Sequence, residues 1–287
     1  MGQVDPPFHS IAIAGLGLIG GSIALAVRER WPASRVIAVD SAPVLAHAMG
    51  SGAIDRVCES VAALPGADLI VLAAPVRQNI QLLHEIGRNF PGPVVVTDVG
   101  GTKQDIVAAA RALPPAITFV GGHPLGGAER GGFGFARPDL FVNRPWIFTP
   151  DGDGSTESLG RLSEFVAGLG ARPTSMNAAD HDRLMAFLSH LPQLTASALM
   201  NTVGDAVASK GLLLAGQGLV DTTRLASSPA GVWRDICATN TEAIGHALDL
   251  FIARLTEIRG DLQRGEAIDT IFENAARWRA ELMKGRE

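Results

Sequence analysis

Gly15-Leu16-Gly17-Leu18-Ile19-Gly20 lies between the apolar run Ile11–Gly15 and a helical pattern at Leu18–Arg30. This order predicts a strand, a tight glycine turn and the first turn of a helix. Gly15 permits the turn, Gly17 lets a pyrophosphate approach the backbone, and Gly20 allows close packing of the helix on the strand. The free N–H groups and the positive dipole end of the helix favour phosphate. All six residues are therefore predicted to form a dinucleotide site.

An acidic residue at the end of the next strand indicates which dinucleotide is bound. Asp40 follows the glycines at the spacing where a carboxylate hydrogen-bonds the ribose hydroxyls and repels a 2′-phosphate. Ser41 and Ala42 offer that phosphate no cation, so the predicted cofactor is NAD. Further cofactor contacts are expected from residues that follow later strands, namely Ala74, Pro75 and Gly100.

Short β-branched runs alternate with helical patterns through the first part of the chain. Such alternation, with short Gly- and Pro-containing connections, predicts an α/β fold with a Rossmann-like, doubly wound parallel sheet. The strand-like runs are Ile11–Gly15, Arg35–Asp40, Ala67–Ala73, Pro93–Asp98, Ile117–Gly121, Trp146–Thr149 and Pro173–Met176. The helical patterns are Leu18–Arg30, Ala42–Ser51, Val76–Asn89, Lys103–Ala112 and Ser155–Leu169.

Beyond Met176 only helical periodicity is found, which predicts an NAD-binding domain at 1–177 and an all-helical domain at 178–287. One helix is expected over Ala179–Lys210, kinked or broken at Pro192, and others over Trp233–Leu262 and Ile268–Lys284. These helices are apolar on more than one face and need a second partner for burial. We therefore expect a homodimer formed through the helical domain.

Net charge and cysteine usage exclude several classes of protein. The 287 residues include 24 Lys and Arg against 29 Asp and Glu, a formal net charge of −5, so neither nucleic acid nor an anionic membrane is an expected partner. The two distant cysteines form no disulfide framework. The most apolar stretch, Ile11–Val27, is shorter than the ~20 residues of a membrane span and lacks the basic start of a signal peptide. A cytoplasmic location is expected.

Two glycine-rich segments follow strand ends, where doubly wound folds bind their ligands. They are Asp98–Lys103 and Gly121–Glu129. In the second, His123 lies among glycines and before a proline, and a neutral imidazole in such a loop accepts a proton near pH 7. We expect His123 to be the general base. No His, Asp and Glu cluster has ligand spacing, so no metal is expected.

The chain resembles the prephenate dehydrogenase family, the prephenate, arogenate and cyclohexadienyl dehydrogenases of tyrosine biosynthesis. The resemblance extends over nearly the whole chain in matching order. It rests on Gly15–Ser22, Asp98–Lys103, Gly122–Glu129, Ala179–Asp182, Ser189–Pro192, Asp221–Arg224 and Trp233–Asp235.

The resemblance implies NAD-dependent oxidative decarboxylation of prephenate to 4-hydroxyphenylpyruvate, with arogenate as the alternative substrate. It implies that His123 hydrogen-bonds the C4 hydroxyl of the substrate and that Arg224 binds a substrate carboxylate. His190 is considered as a second cation for carboxylate. The other implied residues of the substrate pocket are Ser189, Asp221 and Glu129.

Two positions depart from the family's pattern. Many members have Ser where this chain has Gly101, which leaves Thr102 as the neighbouring hydroxyl and a candidate substrate contact. Many prephenate-using members have His where this chain has Gln193. A neutral Gln193 near the substrate side chain is expected to weaken discrimination against the ammonium group of arogenate.

Two alternatives remain open. The first is a catalytically inactive regulator that senses NAD(H). The presence of both His123 and Arg224 argues against it, because such a regulator needs neither a base nor a carboxylate-binding cation. A β-hydroxyacid or 6-phosphogluconate-type dehydrogenase uses a lysine in its helical domain, where the body of this domain offers only Lys210. Outside the predicted site, His181 is interpreted as a structural residue at a helix start and Trp233 as core packing.

Overall fold

A computed structural model describes residues 5–61, 66–127, 130–152 and 156–284. The strands are β1 Ser10–Ala14, β2 Arg35–Val39, β3 Arg56–Val57, β4 Leu69–Leu72, β5 Val94–Asp98, β6 Ile117–Pro124, β7 Pro145–Thr149 and β8 Arg172–Ser175. They form one sheet in the order β3-β2-β1-β4-β5-β6-β7-β8. All neighbours from β3 to β6 are parallel, which confirms the doubly wound, Rossmann-like prediction.

Five helices accompany the sheet: α1 Leu18–Arg30, α2 Ala42–Gly50, α3 Val76–Asn89, α4 Gln104–Ala110 and α5 Thr156–Gly168. Each was expected from the helical patterns, with ends that differ by a few residues. Strands β1, β4 and β5 are buried along their whole length, as parallel strands covered on both faces must be. Two apolar clusters result, and in one of them Trp31 stacks on Phe165 with ring centroids 5.5 Å apart.

The sheet differs from the sequence-based expectation at two strands, the edge strand β3 and the strand β7 next to the other edge. The two-residue strand β3 was not predicted, because both of its residues are exposed and carry no apolar pattern. Strand β7 runs antiparallel to β6, whereas a parallel sheet was expected throughout. A parallel pair needs a crossover connection that is usually a helix, and the described part of the β6–β7 connection contains only the 3₁₀ turn Phe133–Phe135.

The remaining helices are α6 Ala178–Met185, α7 Leu191–Leu212, α8 Gln217–Thr222, α9 Ala230–Thr239, α10 Thr241–Gly260 and α11 Glu266–Lys284. The break or kink expected at Pro192 is not found at this residue. Pro192 lies in the first turn of α7, where the absent N–H costs little, and a π-helical turn at Ala186–His190 joins α6 to α7.

The helix expected over Trp233–Leu262 is in fact two helices. Asn240, with φ −145° and ψ 39°, separates α9 from α10. Helix α8 was not predicted.

By its internal packing the chain divides into two compact units, Met1–Thr241 and Glu242–Glu287. The domain boundary at 177 stays a prediction. Among the described residues, no helix combines the length and apolar character that crossing a membrane requires.

Candidate active site

A cleft of about 530 Å³ opens at the carboxyl edge of the parallel strands, the place where doubly wound folds bind ligands. It brings predicted cofactor and substrate residues together. Those that line it are Gly17, Leu18, Ile19, Ala74, Pro75, Gly100, His123, Ser189 and His190. Ser189 and His190 reach the cleft from the π-helical turn, a feature that is frequent at functional sites.

The glycine turn at the cleft has the geometry that a dinucleotide requires. Gly15 has φ +99°, and a Cβ atom there would lie 2.8 Å from the Ala73 carbonyl. A Cβ at Gly20 would lie 1.9 Å from the Gly15 carbonyl oxygen. At Gly17, the residue before α1, a Cβ would meet no atom within 4 Å. The turn thus needs glycine for its own packing at two positions and leaves open space at the helix N-terminus, which fits a pyrophosphate.

Asp40 is bound to the glycine turn itself. Its carboxylate accepts hydrogen bonds from the backbone N–H of Leu16 at 2.6 Å and of Ser41 at 2.6 Å. The Leu16 side chain is buried in the core. Four predicted cofactor residues therefore shape the turn without lining the cleft themselves: Gly15, Leu16, Gly20 and Asp40. A ribose contact of Asp40 stays a prediction.

His123 is joined to a buried carboxylate through a second histidine. Its Nδ1 lies 2.9 Å from Nε2 of His181, and Nδ1 of His181 lies 2.8 Å from Oδ1 of Asp182. The Asp182 carboxylate only accepts, so Nδ1 of His181 carries a proton. A neutral His181 then offers Nε2 as an acceptor, and His123 donates from Nδ1. The lone pair of His123 is thereby assigned to Nε2.

His123 is held in its basic, uncharged form. Burial lowers the pKa of His123 well below its usual 6.5, and the neighbouring His181, Lys103 and His190 lower this pKa further. A neutral imidazole with a free Nε2 lone pair accepts a proton from a hydroxyl group.

The loop after β5 fixes the position of both histidines. Lys103 and Asp98, each fully buried, form an ion pair. Around residue 122, Asp98 accepts from the Gly122 N–H at 3.0 Å and Lys103 donates to the Gly122 carbonyl at 2.8 Å. The backbone N–H groups of Lys103 and Gln104 donate to the Asp182 carboxylate at 2.7 and 2.9 Å. One loop therefore holds the residue before His123 and the carboxylate behind His181.

His190 is buried at the other side of the cleft lining. The Asn240 side-chain nitrogen lies 3.3 Å from Nδ1 of His190, and the Trp233 ring meets the imidazole edge-to-face with centroids 6.0 Å apart. Burial lowers the pKa of His190 to about 4. This lowered pKa favours an uncharged His190 at neutral pH and so speaks against the second cation suggested from the sequence.

Other predicted substrate residues lie outside the described lining of the cleft. Gln193 is buried and uses its whole amide: Nε2 donates to the Leu225 carbonyl at 2.7 Å and to Ser197 Oγ at 3.3 Å, and Oε1 accepts from Ser228 at 3.0 Å. It secures the 3₁₀ turn that begins at Arg224.

Three further predicted residues have these positions. Arg224 is exposed, at the start of that 3₁₀ turn. Asp221 is also exposed and accepts a hydrogen bond from Gln217. Thr102 is buried, with its hydroxyl 2.7 Å from that of Thr239. Glu129 falls outside the described residues.

The structure adds residues to the site that sequence analysis missed. His181 is the partner of His123, and Trp233 lines the cleft instead of packing in the core. Arg130 is the only Arg or Lys among the described lining residues, with its guanidinium 5.6 Å from the Phe135 ring. A single signal in the sequence pointed to His181, namely its place between two aspartates directly after the last strand.

Comparison with known proteins identifies the family. The family model described as prephenate dehydrogenase, nucleotide-binding domain, matches residues 23–175, and the one described as prephenate dehydrogenase, dimerization domain, matches residues 177–274. The chain belongs to the prephenate dehydrogenase family. Prephenate dehydrogenase of Bacillus subtilis (strain 168) is 33% identical over 264 residues, which cover 90% of this chain and 71% of the relative.

Solved structures of the prephenate dehydrogenase family share the whole fold. That of prephenate dehydrogenase from A. aeolicus in complex with hydroxyphenyl propionate and NAD+ has a TM-score of 0.86 at 27% identity, over 96% of this chain and 98% of that one. Synechocystis arogenate dehydrogenase has a TM-score of 0.77 at 26% identity, over 94% and 99% of the two chains.

Proposed function

We propose that the protein catalyses the NAD-dependent oxidative decarboxylation of prephenate to 4-hydroxyphenylpyruvate, in tyrosine biosynthesis. The observation that carries this proposal is the series of hydrogen bonds from His123 through His181 to Asp182. It holds His123 as an uncharged base in the cleft that the glycine turn also lines. The same chemistry on arogenate, the amino counterpart of prephenate, would yield tyrosine.

The proposed reaction balances without a metal or a further oxidant. The C4–H bond of the cyclohexadienol breaks with its electron pair, C4 is oxidised, and the C1–carboxylate bond then breaks to release CO₂ and leave an aromatic ring. NAD bound along the glycine turn takes up the hydride. The hydroxyl proton moves to His123 as C4 becomes carbonyl-like and returns to the oxygen of the phenol product.

Residues of this chain perform the proton transfer. Nε2 of His123 accepts the hydroxyl proton, and the positive charge that forms on the two imidazoles faces the Asp182 carboxylate. A positioned base of this kind typically contributes about 10²–10⁴-fold to the rate. Lys103 and Asp98 keep the end of strand β6, which carries His123, in place through Gly122.

The cofactor residues are proposed from the glycine turn and the strand ends. Gly17, Leu18 and Ile19 hold the pyrophosphate at the N-terminus of α1, with Ala74, Pro75 and Gly100 along the same wall. Asp40 selects NAD over NADP, because a carboxylate repels the additional phosphate.

Substrate carboxylates need cations at the cleft. Arg130 is placed for this in the described lining, and Arg224 stays the predicted second cation, in a turn whose neighbour Ser228 lines the cleft. An arginine binds a carboxylate through two parallel hydrogen bonds, which lysine does not.

One assay tests the proposed function. Prephenate and arogenate are offered separately to the purified protein with NAD and with NADP, and formation of reduced nicotinamide is followed by absorbance. We expect turnover of prephenate with a much higher kcat/KM for NAD than for NADP. Turnover of arogenate alone would assign the second substrate, and turnover of neither would favour a regulator that only binds NAD(H).

We also propose that the protein is a homodimer. Helix α11 has no buried side chain among its described residues, and Phe272 and Trp278 on it are 68% and 65% exposed. Such apolar exposure is typical of an interaction surface. Light scattering at micromolar concentration should give twice the mass of one chain, and a monomer would contradict the proposal. A cytoplasmic location stays a prediction.

A further inference from the structure

Asn240 lies at the break between α9 and α10, with its side chain behind the cleft. Its Nδ2 atom donates to the backbone carbonyl of Asp182 at 2.8 Å and lies 3.3 Å from Nδ1 of His190. Asn240 itself is 5% exposed and His190 is 1% exposed. The two contacts are therefore shielded from competing water.

These two contacts settle which nitrogen of His190 carries the proton. A backbone carbonyl only accepts, so the atom of Asn240 that faces it must be the NH₂ group and not the amide oxygen. The second N–H of the same group then points to Nδ1 of His190, which has to be the acceptor. In a neutral imidazole the proton is left on Nε2, on the side of the ring away from Asn240.

We propose that Asn240 is a positioning residue that holds His190 as the neutral Nε2–H tautomer, and that His190 uses this N–H to donate a hydrogen bond to an oxygen of the bound substrate. The identity of that substrate rests on the proposed function. The tautomer does not.

The two cleft histidines then have opposite roles. His123 donates from Nδ1 to His181 and keeps an acceptor at Nε2, whereas His190 accepts at Nδ1 from Asn240 and keeps a donor at Nε2. Asp182 links the two arrangements, because its carboxylate fixes His181 and its backbone carbonyl fixes Asn240. One ring takes a proton from the substrate, and the other donates to an oxygen that must stay unprotonated.

The groups around His190 keep it uncharged. Burial lowers its pKa most, His181 lowers it further, and the Asp182 carboxylate acts in the opposite direction. The Trp233 edge and the Asn240 amide, which also contact His190, carry no charge. A carboxylate in place of the Asn240 amide adds a negative charge beside Nδ1 of His190, the atom that accepts in the unmodified protein. This charge favours a proton on Nδ1.

The experiment is ¹⁵N NMR of the full-length protein labelled at histidine, at pH 7. Two-bond ¹H–¹⁵N correlations distinguish the Nδ1–H, Nε2–H and doubly protonated forms of each ring, and the variant His190→Gln assigns the His190 signals by their loss. We expect the Nε2–H pattern for His190 in the unmodified protein. In Asn240→Asp we expect His190 to carry a proton on Nδ1, because a carboxylate accepts where the amide donated.

Asn89→Asp is the matched control, since exposed Asn89 also donates to a backbone carbonyl, that of Glu85. It should leave the His190 pattern unchanged. Retained signals of His123 and His181 show that Asn240→Asp is folded, and Asn240→Ala provides a second variant in which no group fixes the His190 tautomer. A wild-type His190 that is protonated on Nδ1, or a pattern that is the same in all variants, would overturn the proposal.

Steady-state kinetics test the donor role. For Asn240→Ala we expect the KM of the substrate to rise about 2- to 10-fold, the range of one hydrogen bond, with the KM of NAD unchanged. A rise in the KM of NAD alone would overturn the contact with substrate. Failure of the proposed function appears separately, as absence of turnover in the unmodified protein, and leaves the NMR result as it stands.

Discussion

Nδ1 of His123 lies 2.9 Å from Nε2 of His181, although 58 residues separate the two histidines in the chain. His123 lies near the end of β6, in the part of this strand that pairs antiparallel with β7, and His181 belongs to the first helix after the last strand. The contact therefore joins the two domains that the hydrophobic periodicity of the sequence predicts. It assigns the lone pair of His123 to Nε2, and the predictions below depend on this assignment.

The pH dependence of the reaction should reflect the lowered pKa of His123. The base acts in its neutral form, which is lost when the pH falls below its pKa. Because burial and three neighbouring groups hold this pKa well below 6.5, kcat/KM should stay constant down to pH 6.5 and fall only at lower pH. The measurement is kcat/KM for prephenate across pH 5–8 with NAD saturating. An acid limb with its midpoint at or above the reference value of about 6.5 would contradict the prediction.

His181 should be needed for turnover but not for cofactor binding. His181→Phe keeps a ring of similar size and removes both nitrogens, so His123 loses the acceptor that fixes its tautomer. We expect kcat to fall about 10²-fold or more, while the Kd of NAD measured by calorimetry is unchanged. His84→Phe, on the exposed side of α3, is the matched control. A His181→Phe enzyme with unchanged kcat would restore the interpretation of His181 as a structural residue only.

The buried ion pair of Lys103 and Asp98 should contribute more to the free energy of unfolding than an exposed ion pair does. Lys103→Met keeps most of the side-chain volume but leaves the buried Asp98 carboxylate without its cation and the Gly122 carbonyl without the Lys103 donor. Breaking such a pair typically costs about 3–5 kcal/mol, which should appear as a lower free energy of unfolding in urea. Lys284→Met, on an exposed ion pair, should change this free energy little. Equal stability of the two variants would refute this role of the pair.

Gln193 should act on both substrates through the Arg224 turn. Its amide is fully occupied by Leu225, Ser197 and Ser228, and a histidine ring cannot make all three hydrogen bonds. For Gln193→His we expect kcat/KM to fall by a similar factor, about tenfold, for prephenate and for arogenate. Measuring both substrates on one preparation gives the ratio. A ratio that shifts toward prephenate would support the direct contact that sequence analysis suggested.

The sequence predicted the α/β core well because its patterns are local. Parallel strands buried on both faces are apolar runs, and the glycine turn is specified by three positions that are close in sequence. The antiparallel direction of strand β7 and the break at Asn240 were not predictable in this way. The first depends on which neighbour it pairs with, and the second interrupts a helical pattern that continues in the sequence on both sides.

The site was predictable at its strand ends and less so elsewhere. His123 and the glycine turn lie where topology alone puts ligands. His181 and Asn240 acquire their roles from contacts across 50 or more residues, and no local spacing reports such contacts. Gln193 illustrates the opposite case: the family's pattern suggested a substrate contact, whereas its side chain is engaged in holding a turn.

The variant His123→Asn tests the central claim most directly. Asparagine keeps a polar side chain but offers no basic nitrogen, so kcat for prephenate oxidation should fall about 10²–10⁴-fold while the Kd of NAD stays near that of the unmodified enzyme. The measurement is the steady-state rate of reduced nicotinamide formation at neutral pH, with both substrates saturating. A His123→Asn enzyme with near-normal kcat would contradict the account, and the base would then have to be a different residue.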